Sequence, residues 1–431
     1  MKGWADAMRA FYRAFVVAFI SVFVAASAAG AQKLVVATHI NAPEIVQEQI
    51  ALMKRFEEKY PGVEIDVWFT PWGEYHDRLL TMHLAGNAPD VATIGRFEFA
   101  SFIEAGLIQP LDRFVDADPE LDLSRDAIPG VLASGYYKGT LYGFPVYNGP
   151  ALLFYNPNLF AERGVAEPVE YIAENRWNRE SFLEVAQKLT ADTSGDGVPD
   201  IVGYWGFSEW QPMWVPFIRH AGGDVVTRDG RSGLNSEAAI EALEWLNDLN
   251  VVHGVTAYPG HGGSWENGDI AMHVRWQAEG LIEKSVFPAV DPEPALMPAG
   301  PSGYAHIVGG VPVTVSSTTE HPQLAYQYAK WLAMESGLWK VRGGPPLSRE
   351  EVQGPEYRST LSVFRHPEMF ELALALGDAR PEPQFGFVEH QEMTRILRDV
   401  LINPIRQGLV SVRAAVDEAH RLLNQLLEGA Q

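Results

Sequence analysis

Cysteine is absent from the 431 residues of this chain. Its absence excludes disulfides, thiolate metal sites and cysteine nucleophiles, and it also excludes a lipid-modified cysteine behind an export signal. Basic residues are few, since 33 lysines and arginines face 55 aspartates and glutamates and leave a formal net charge of −22. Nucleic acids and anionic membranes bind to basic surfaces, so this charge argues against both as partners and favours a neutral ligand over an anionic one.

Familiar catalytic motifs are absent as well. The sequence has no G-x-S-x-G elbow, no H-E-x-x-H zinc motif and no phosphate-binding loop. The paired carboxylates of a glycosidase need not be adjacent in a sequence, so a secreted carbohydrate-active enzyme stays open as an alternative. We predict a binding protein without catalytic residues.

Long apolar runs are scarce, and the one that stands out lies within residues 1–31. Three basic residues, Lys2, Arg9 and Arg13, come before a short apolar block at residues 15–26, and the segment ends in small residues. The pattern predicts a signal peptide cleaved before Gln32, because the block is short for a membrane span. An uncleaved anchor helix is the alternative. With no cysteine to carry a lipid, we expect the mature chain to be free in the periplasm.

A chain of this length has room for two domains. Apolar or alternating runs at residues 34–37, 63–69 and 90–94 predict strands, and apolar residues at helical spacing predict helices at 45–60 and 74–84. The order strand, helix, strand, helix, strand is typical of an α/β fold with a mostly parallel sheet.

The unbroken apolar run at residues 151–155 predicts a strand covered on both faces. A polar and sharply bent segment, residues 147–150, comes directly before it. We interpret this stretch as a strand that crosses between two lobes, with an ordinary buried strand as the alternative. Residues 295–298 are predicted to cross a second time, and the Gly- and Pro-rich residues 343–346 to form a third connection.

An ordered set of segments resembles the extracellular solute-binding proteins of carbohydrate ABC importers, of the maltose-binding type. The segments that carry the resemblance are KLVVAT, FEEKYPGVEIDV, GNAPDVATI, EAGLIQPLD, GTLYGFPVY, LFYNPNLFAERGV, WNRESFLEVAQKL, GDIAMHVRW and HPQLAYQYAKWLAMESG. They follow one another over nearly the whole mature chain, so the set is specific although no single motif is.

The resemblance implies a two-lobed α/β clamp, a monomer, that captures a sugar between its lobes and delivers it to a membrane permease. The N-terminal lobe would comprise residues 32–146 and 297–343, and the C-terminal lobe residues 147–296 and 344–431. The same clamp could also take a polyol or a glycerol-phosphate ester.

Polar side chains that follow predicted strands are candidate ligand contacts. Ligands of open α/β sheets bind beyond the carboxyl ends of the strands, and a glycine lets a backbone approach a ligand closely. A charged residue at a loop tip is more often simply solvated. The candidates on these grounds are His39 and Asn41 after the first strand, Arg96 and Glu98 after the third, Tyr147 and Asn148 at the crossing, and Gly309 and Gly310.

Aromatic side chains outside helical patterns form a second group of candidates. Sugars present apolar C–H faces ringed by hydroxyls, and a flat aromatic ring covers such a face at a small cost in rotamer entropy. Core packing is the alternative for each tryptophan, and helical spacing assigns Trp245, Trp331 and Trp339 to the core. The candidates are Trp72, Trp205, Trp210, Trp265 and Trp276.

Trp276 is the candidate that we single out. It follows a strand predicted at residues 270–274 and lies between Arg275 and Gln277, so we hypothesise that its indole stacks on a sugar ring while its neighbours bond the hydroxyls. The resemblance places a stacking aromatic at this position. It also places a final binding loop at Phe385, Phe387 and Glu389.

A loop with the spacing of a calcium site begins at residue 192. Its first, third, fifth, seventh and ninth positions would supply oxygens, and a glycine occupies the sixth. The twelfth position is Gly203, so the usual bidentate glutamate is missing, and an ordinary turn is the alternative. The predicted ligands of a structural calcium are Asp192, Ser194, Asp196, Val198 through its carbonyl, and Asp200.

Overall fold

The computed structural model describes residues 32–40, 44–206, 208–227, 229–257, 263–376, 378–383, 387 and 389–429. The predicted signal peptide lies outside the described residues. Among the helices of the described part, none combines the length and the apolar character needed to cross a membrane.

Ten strands and twenty α-helices make up the regular structure of the described residues. The strands are β1 (Gln32–Ile40), β2 (Val63–Pro71), β3 (Val91–Thr93), β4 (Tyr136–Tyr137), β5 (Thr140–Leu141), β6 (Gly143–Tyr155), β7 (Met272–Trp276), β8 (Glu293–Ala295), β9 (Ala305–Val315) and β10 (Asp378–Arg380). The helices are α1 (Glu44–Lys59), α2 (Trp72–Leu84), α3 (Phe99–Glu104), α4 (Asp112–Asp116), α5 (Leu123–Asp126), α6 (Pro129–Leu132), α7 (Pro157–Arg163), α8 (Pro168–Ala173), α9 (Arg179–Leu189), α10 (Val215–His220), α11 (Glu237–Val251), α12 (Gln277–Val286), α13 (Pro322–Met334), α14 (Trp339–Arg342), α15 (Arg349–Gln353), α16 (Pro355–Leu361), α17 (Glu368–Ala375), α18 (His390–Arg395), α19 (Asn403–Arg406) and α20 (Val412–Gly429). Short 3₁₀ turns at Ala133–Gly135 and Gln211–Met213 and a π-helical stretch at Ile396–Ile402 complete the inventory.

Eight of the strands join into one large sheet in the order β2-β1-β3-β9-β6-β7, with β8 paired to β6 and β10 paired to β9. β4 and β5 form a separate two-stranded antiparallel sheet. β1 runs parallel to both β2 and β3, which confirms the predicted alternation of strands and helices at the start of the chain. β9 runs antiparallel to β3 and β6, so the sheet is mixed rather than all parallel.

β6 connects the two halves of this sheet. Its first half pairs with β9, and its second half pairs with β7 and β8. The pairing shifts register between Val146 and Gly149. Tyr147 has a φ of 38° and Gly149 a φ of 78°, so the backbone bends where the sequence predicts a turn. Residues 151–155 are all buried and face two different parts of the core, as the apolar run predicts.

β9 is a second long strand of this sheet and pairs with β3, β6 and β10, whereas of the residues predicted to form a crossing strand at 295–298 only Ala295 lies in a strand. β8 ends at Ala295 and pairs with the second half of β6. The apolar run at residues 311–315 predicts the second half of β9, but no pattern predicts its first half, because Gly309 and Gly310 interrupt the apolar residues. These glycines serve close packing, since a Cβ on Gly310 would lie 2.6 Å from the Cβ of Pro145 on β6.

Several other boundaries differ from the predictions. The strand predicted at residues 270–274 lies two residues later, so Trp276 is its last residue. The aromatic and apolar residues at 201–207 favour a strand, but the described residues of this range form only isolated bridges. Apolar spacing predicts a helix at residues 177–189, and the helix begins at Arg179, because the side chain of Asn178 accepts hydrogen bonds from the amides of residues 180 and 181 and caps it.

His220, at the end of α10, illustrates how histidines are buried in this fold. Its Nδ1–H donates to the carbonyl of Pro298 at 2.6 Å, and its Nε2 accepts from Arg179 at 3.3 Å. Burial and the nearby charge of Arg179 lower the pKa of His220 from 6.5 to about 3. The ring is therefore neutral in the folded protein, with the tautomer set by these two partners.

Acid should destabilise the protein through His220. The unfolded chain takes up a proton below pH 6.5 and the folded chain does not until about pH 3, so stability falls as the pH drops below 6.5. At pH 5 this group alone costs about 2 kcal/mol of unfolding free energy. In urea titrations at pH 7.5 and 5.0, His220→Gln should lose less stability than the wild type by about that amount. Equal losses would show that His220 is not the group that titrates.

Candidate ligand-binding site

A cavity of about 360 Å³ opens where β1, β3, β6 and β7 approach one another. Its lining combines aromatic rings with arginine and glutamate side chains, the mixture expected for a polar ligand with apolar faces. The lining residues are His39, Trp72, Arg96, Phe97, Tyr147, Trp276, Ala278, Glu279, Ile282, Val311 and Arg342. Five sequence-predicted candidates thus come together here: His39, Trp72, Arg96, Tyr147 and Trp276.

A larger depression of about 580 Å³ lies elsewhere on the surface. Its lining in the described part of the chain includes Lys330, Glu335 and Arg349 and no aromatic side chain. It offers neither a stacking surface nor the ends of sheet strands. We therefore take the smaller, aromatic cavity as the candidate site.

Trp276 borders the cavity from the end of β7. Trp276 is 5% exposed, and its ring packs in a T-shaped arrangement with the ring of Trp210, at a centroid distance of 6.1 Å. The guanidinium of Arg96 lies 5.0 Å from the ring centroid. A Cβ on Gly309 would come within 3.0 Å of the indole, so this glycine permits the ring to lie where it does. Gly309 thus lies close to the site, and the position that a side chain would occupy faces Trp276.

Arg96 is held between aromatic rings and a buried carboxylate. Its guanidinium lies 4.9 Å from the ring of Phe97 as well as over Trp276. Its Nε is 2.6 Å from Oε2 of Glu382, a side chain that is 3% exposed. Burial raises the pKa of Glu382, and the charges of Arg96 and Arg219 oppose this shift. No sequence pattern pointed to Glu382, which lies in a proline-rich stretch.

The N-terminal side of the cavity is a cluster of rings at the end of β1. His39 meets Trp72 edge-on at 4.4 Å and Tyr147 at 5.8 Å. Trp72 is 40% exposed and so forms part of the cavity's mouth. Burial, with Arg342 nearby, lowers the pKa of His39 to about 3, so this ring is neutral at physiological pH.

Arg342 also lines this side, whereas the predicted contact Glu98 is not among the lining residues. Arg342 donates to the carbonyl of His39 at 2.5 Å, and its guanidinium lies 5.1 Å from the ring of Tyr147. Sequence reasoning missed Arg342 because it lies far along the chain, in a short helix. Glu98 lies 3.7 Å from His76, whose Nε2 accepts from the amide of Gly95, and burial raises the pKa of Glu98.

Three of the predicted ligand contacts, Trp205, Trp265 and Arg275, lie in a separate cluster on the other face of β7. Trp265 donates to Glu283 at 2.8 Å, and Arg275 pairs with the same carboxylate at 2.5 Å. Trp205 stacks on His273 at 4.8 Å. Neighbouring residues of a strand point to opposite faces, so Arg275 and Trp276 do not share one surface as hypothesised.

The remaining candidates are placed as follows. Asn41 and Phe385 lie outside the described residues, as does the side chain of Asn148. Gly310 faces Pro145 rather than the cavity. Phe387 packs against the core that contains Trp276, and Glu389 directly precedes α18.

The loop at residues 192–200 is exposed and closed by its own hydrogen bonds. Asp192 accepts from the amides of Gly195 and Gly197, and Asp200 from those of Thr193 and Ser194. Among the described residues, no group of three or more histidine, aspartate or glutamate side chains could hold a metal ion. The calcium site stays a prediction. If calcium binds here, a chelator should lower the melting temperature of the protein. Superimposable melting curves with chelator and with excess calcium would show that the loop is an ordinary turn.

Comparison with known proteins agrees with this architecture. The family model of the bacterial extracellular solute-binding proteins matches residues 41–337. A putative binding protein of Brucella abortus is 23% identical over 363 residues, which cover 79% of this chain and 81% of that protein. The arabinooligosaccharide-binding protein of Bacillus subtilis is 23% identical over 327 residues, 70% of each chain.

The fold is also shared with solved structures. The cyclic α-maltosyl-1,6-maltose binding protein of Arthrobacter globiformis has a TM-score of 0.76 at 19% identity, covering 93% of this chain and 100% of that one. This likeness confirms the predicted fold class, the two-lobed α/β clamp, while the exact lobe boundaries stay a prediction. The family match covers well over half of the chain. The chain therefore belongs to the bacterial extracellular solute-binding proteins, which bind solutes for ABC transporters and are not enzymes.

Proposed function

We propose that this protein is an exported sugar receptor, which binds a sugar or oligosaccharide in the aromatic cavity and delivers it to the permease of an ABC importer. The observation that carries the proposal is the placement of Trp276 and Arg96 on one cavity wall. An indole face and a guanidinium with several N–H donors suit the apolar and hydroxylated surfaces of a pyranose. Relatives described as binding arabinooligosaccharides and a cyclic maltosyl sugar support the same ligand class.

Capture would proceed by closure of the clamp about β6 and β9. A ligand shifts such an equilibrium only when it makes different contacts in the open and closed forms. Arg96 follows β3 and Trp276 ends β7, so the two side chains come from opposite halves of the sheet. A sugar that touches both would stabilise the closed form, which is the form we expect the permease to recognise.

Export and release into the periplasm are part of the proposal. The basic start, the apolar block and the small residues at 29–31 support cleavage before Gln32, and the absence of cysteine argues against a lipid anchor. One relative, from Streptomyces antibioticus, is described as a lipoprotein, so the two chains would differ in this respect. The mass of the periplasmic protein should correspond to a monomeric chain that starts at Gln32. Intact chains in the inner membrane would contradict this.

A thermal-shift screen of the mature protein tests the ligand class. Binding to the folded state raises the melting temperature, by several degrees at saturating ligand. We expect hits among neutral mono- and oligosaccharides. The screen should include polyols and glycerol-phosphate esters, the alternatives that the sequence leaves open. A hit restricted to those compounds would overturn the sugar assignment while leaving the family assignment intact.

A further inference from the structure

Two guanidinium groups line the cavity in the described part of the chain, those of Arg96 and Arg342. Arginine is the side chain best suited to bind a carboxylate or phosphate, through paired N–H donors. Arg342 is engaged, since it donates to the carbonyl of His39 at 2.5 Å and stacks on Tyr147. Arg342 keeps its charge, because the carbonyl is neutral, but the lining also contains the carboxylate of Glu279. With two guanidinium groups and one carboxylate in the described part of the lining, the net charge that a ligand meets depends on whether Arg96 is neutralised.

Arg96 already has an anionic partner. Its Nε lies 2.6 Å from Oε2 of Glu382, and only 17% of the arginine side chain is exposed. Glu382 is not among the residues that line the cavity. It therefore lies behind Arg96, where it can neutralise the guanidinium without itself contacting a ligand.

The position of Glu382 is fixed by a second arginine. Arg219 is buried and donates to the carbonyls of Arg380 and Pro381, at 3.2 and 2.9 Å. Asp224 pairs with both Arg219 and Arg380, at 3.2 and 2.7 Å. β10 also pairs with β9, which passes beneath Trp276 at Gly309. The backbone that carries Glu382 is thus anchored directly before this residue.

We propose that Glu382 acts as a charge filter, which restricts the ligand to uncharged sugars by neutralising Arg96 and so excludes uronates and sugar phosphates. This inference rests on the proposed function. Arg96 keeps N–H donors for hydroxyl groups, whereas an incoming carboxylate would compete with Glu382, whose Oε2 already lies 2.6 Å from Nε of the same guanidinium. To bind, the anion would have to separate the pair and leave a buried carboxylate without its partner, which is strongly unfavourable.

The test compares paired ligands on four proteins. The probes are oligomers of glucose and galactose, beside the glucuronate and galacturonate oligomers that differ from them by oxidation at C6. The proteins are the wild type, Glu382→Gln, the double variant Arg96→Gln/Glu382→Gln and the control Glu371→Gln. Glu371 pairs with Arg358 at 2.9 Å on the surface, so the control removes one carboxylate from an ion pair outside the cavity. Titration calorimetry gives the affinities, and a urea melt confirms that each variant is folded.

The wild type and the control should bind a neutral oligomer and discriminate against its acidic counterpart. In Glu382→Gln the preference for the neutral ligand should fall at least tenfold, and the gained affinity for the uronate should weaken with rising salt. The double variant should lose the gained affinity for the uronate, because it lacks the guanidinium of Arg96. A purely structural role of Glu382 would not produce this pattern.

Any of three results would overturn the inference alone. The first is equal affinity of the wild type for neutral and acidic oligomers. The second is an unchanged preference in Glu382→Gln, and the third is a gain in uronate affinity that persists in the double variant. If neither panel binds the wild type, the proposed function itself fails and the charge filter fails with it.

Discussion

Replacing Trp276 with alanine should weaken sugar binding by roughly thirtyfold or more, which corresponds to about 2 kcal/mol. The ring is largely buried at the cavity wall, beneath the guanidinium of Arg96 and against the edge of Trp210. Its loss removes apolar area from the cavity wall that a pyranose would contact, and it removes the ring against which Arg96 is packed. Trp276→Phe should recover part of the affinity, because a smaller ring still presents a face. Titration calorimetry with a sugar found in the thermal-shift screen measures the affinities of both variants.

A matched control separates this role from core packing. Trp265 is fully buried and donates to Glu283 on the other face of β7. Trp265→Ala should lower the unfolding free energy by about 3–5 kcal/mol, the usual cost of truncating a large core side chain, and leave affinity little changed in the folded fraction. If Trp276→Ala behaves in the same way, with stability lost and affinity intact, then Trp276 is a core residue and not part of the site.

Gly309→Val should weaken binding at least tenfold without removing any side chain from the cavity. A Cβ at this position would lie 3.0 Å from Cη2 and 3.1 Å from Cζ3 of Trp276, and 3.7 Å from Nη1 of Arg96. The ring would have to shift by a few tenths of an ångström for the Cβ alone and further for the methyl groups of valine, while Arg96 is at ordinary contact distance from the Cβ. Overpacking of this kind also costs about 1–3 kcal/mol of stability. Gly309→Ala should show the same effect at smaller amplitude, and the measurement is again titration calorimetry beside a urea melt.

The adjacent glycine provides the control for that effect. A Cβ on Gly310 would lie 2.6 Å from the Cβ of Pro145, on the side of β9 that faces away from Trp276. Gly310→Ala should therefore lower stability and leave the affinity of the folded protein unchanged. Loss of affinity in both variants to the same extent would indicate a general distortion of β9, not a specific link between Gly309 and Trp276.

Much of the fold follows from local patterns in the sequence. The alternation of strands and helices at residues 34–94 and the doubly covered run at residues 151–155 are set by apolar spacing, which a reader of the sequence can see. β9 is different, because its central glycines and proline resemble a turn. They are required instead by the close approach of β6 and of Trp276, contacts that arise only when distant segments pair.

The site was predictable where side chains follow strands directly. His39, Arg96 and Trp276 each sit at or just beyond the end of a strand, and all three line the cavity. Arg342 and Glu382 reach the site from late in the chain, through a short helix and a strand edge, and no local pattern marks them. The hypothesis that Arg275 shares a surface with Trp276 fails because neighbouring residues of a strand point to opposite faces of the sheet.

The most direct test of this account is a crystal structure of the protein with a sugar found in the thermal-shift screen. We predict a sugar ring in the cavity of about 360 Å³, against the indole of Trp276 and within hydrogen-bonding distance of Arg96. A sugar bound elsewhere, such as in the charged depression lined by Lys330 and Arg349, with the aromatic cavity unchanged, would contradict the account.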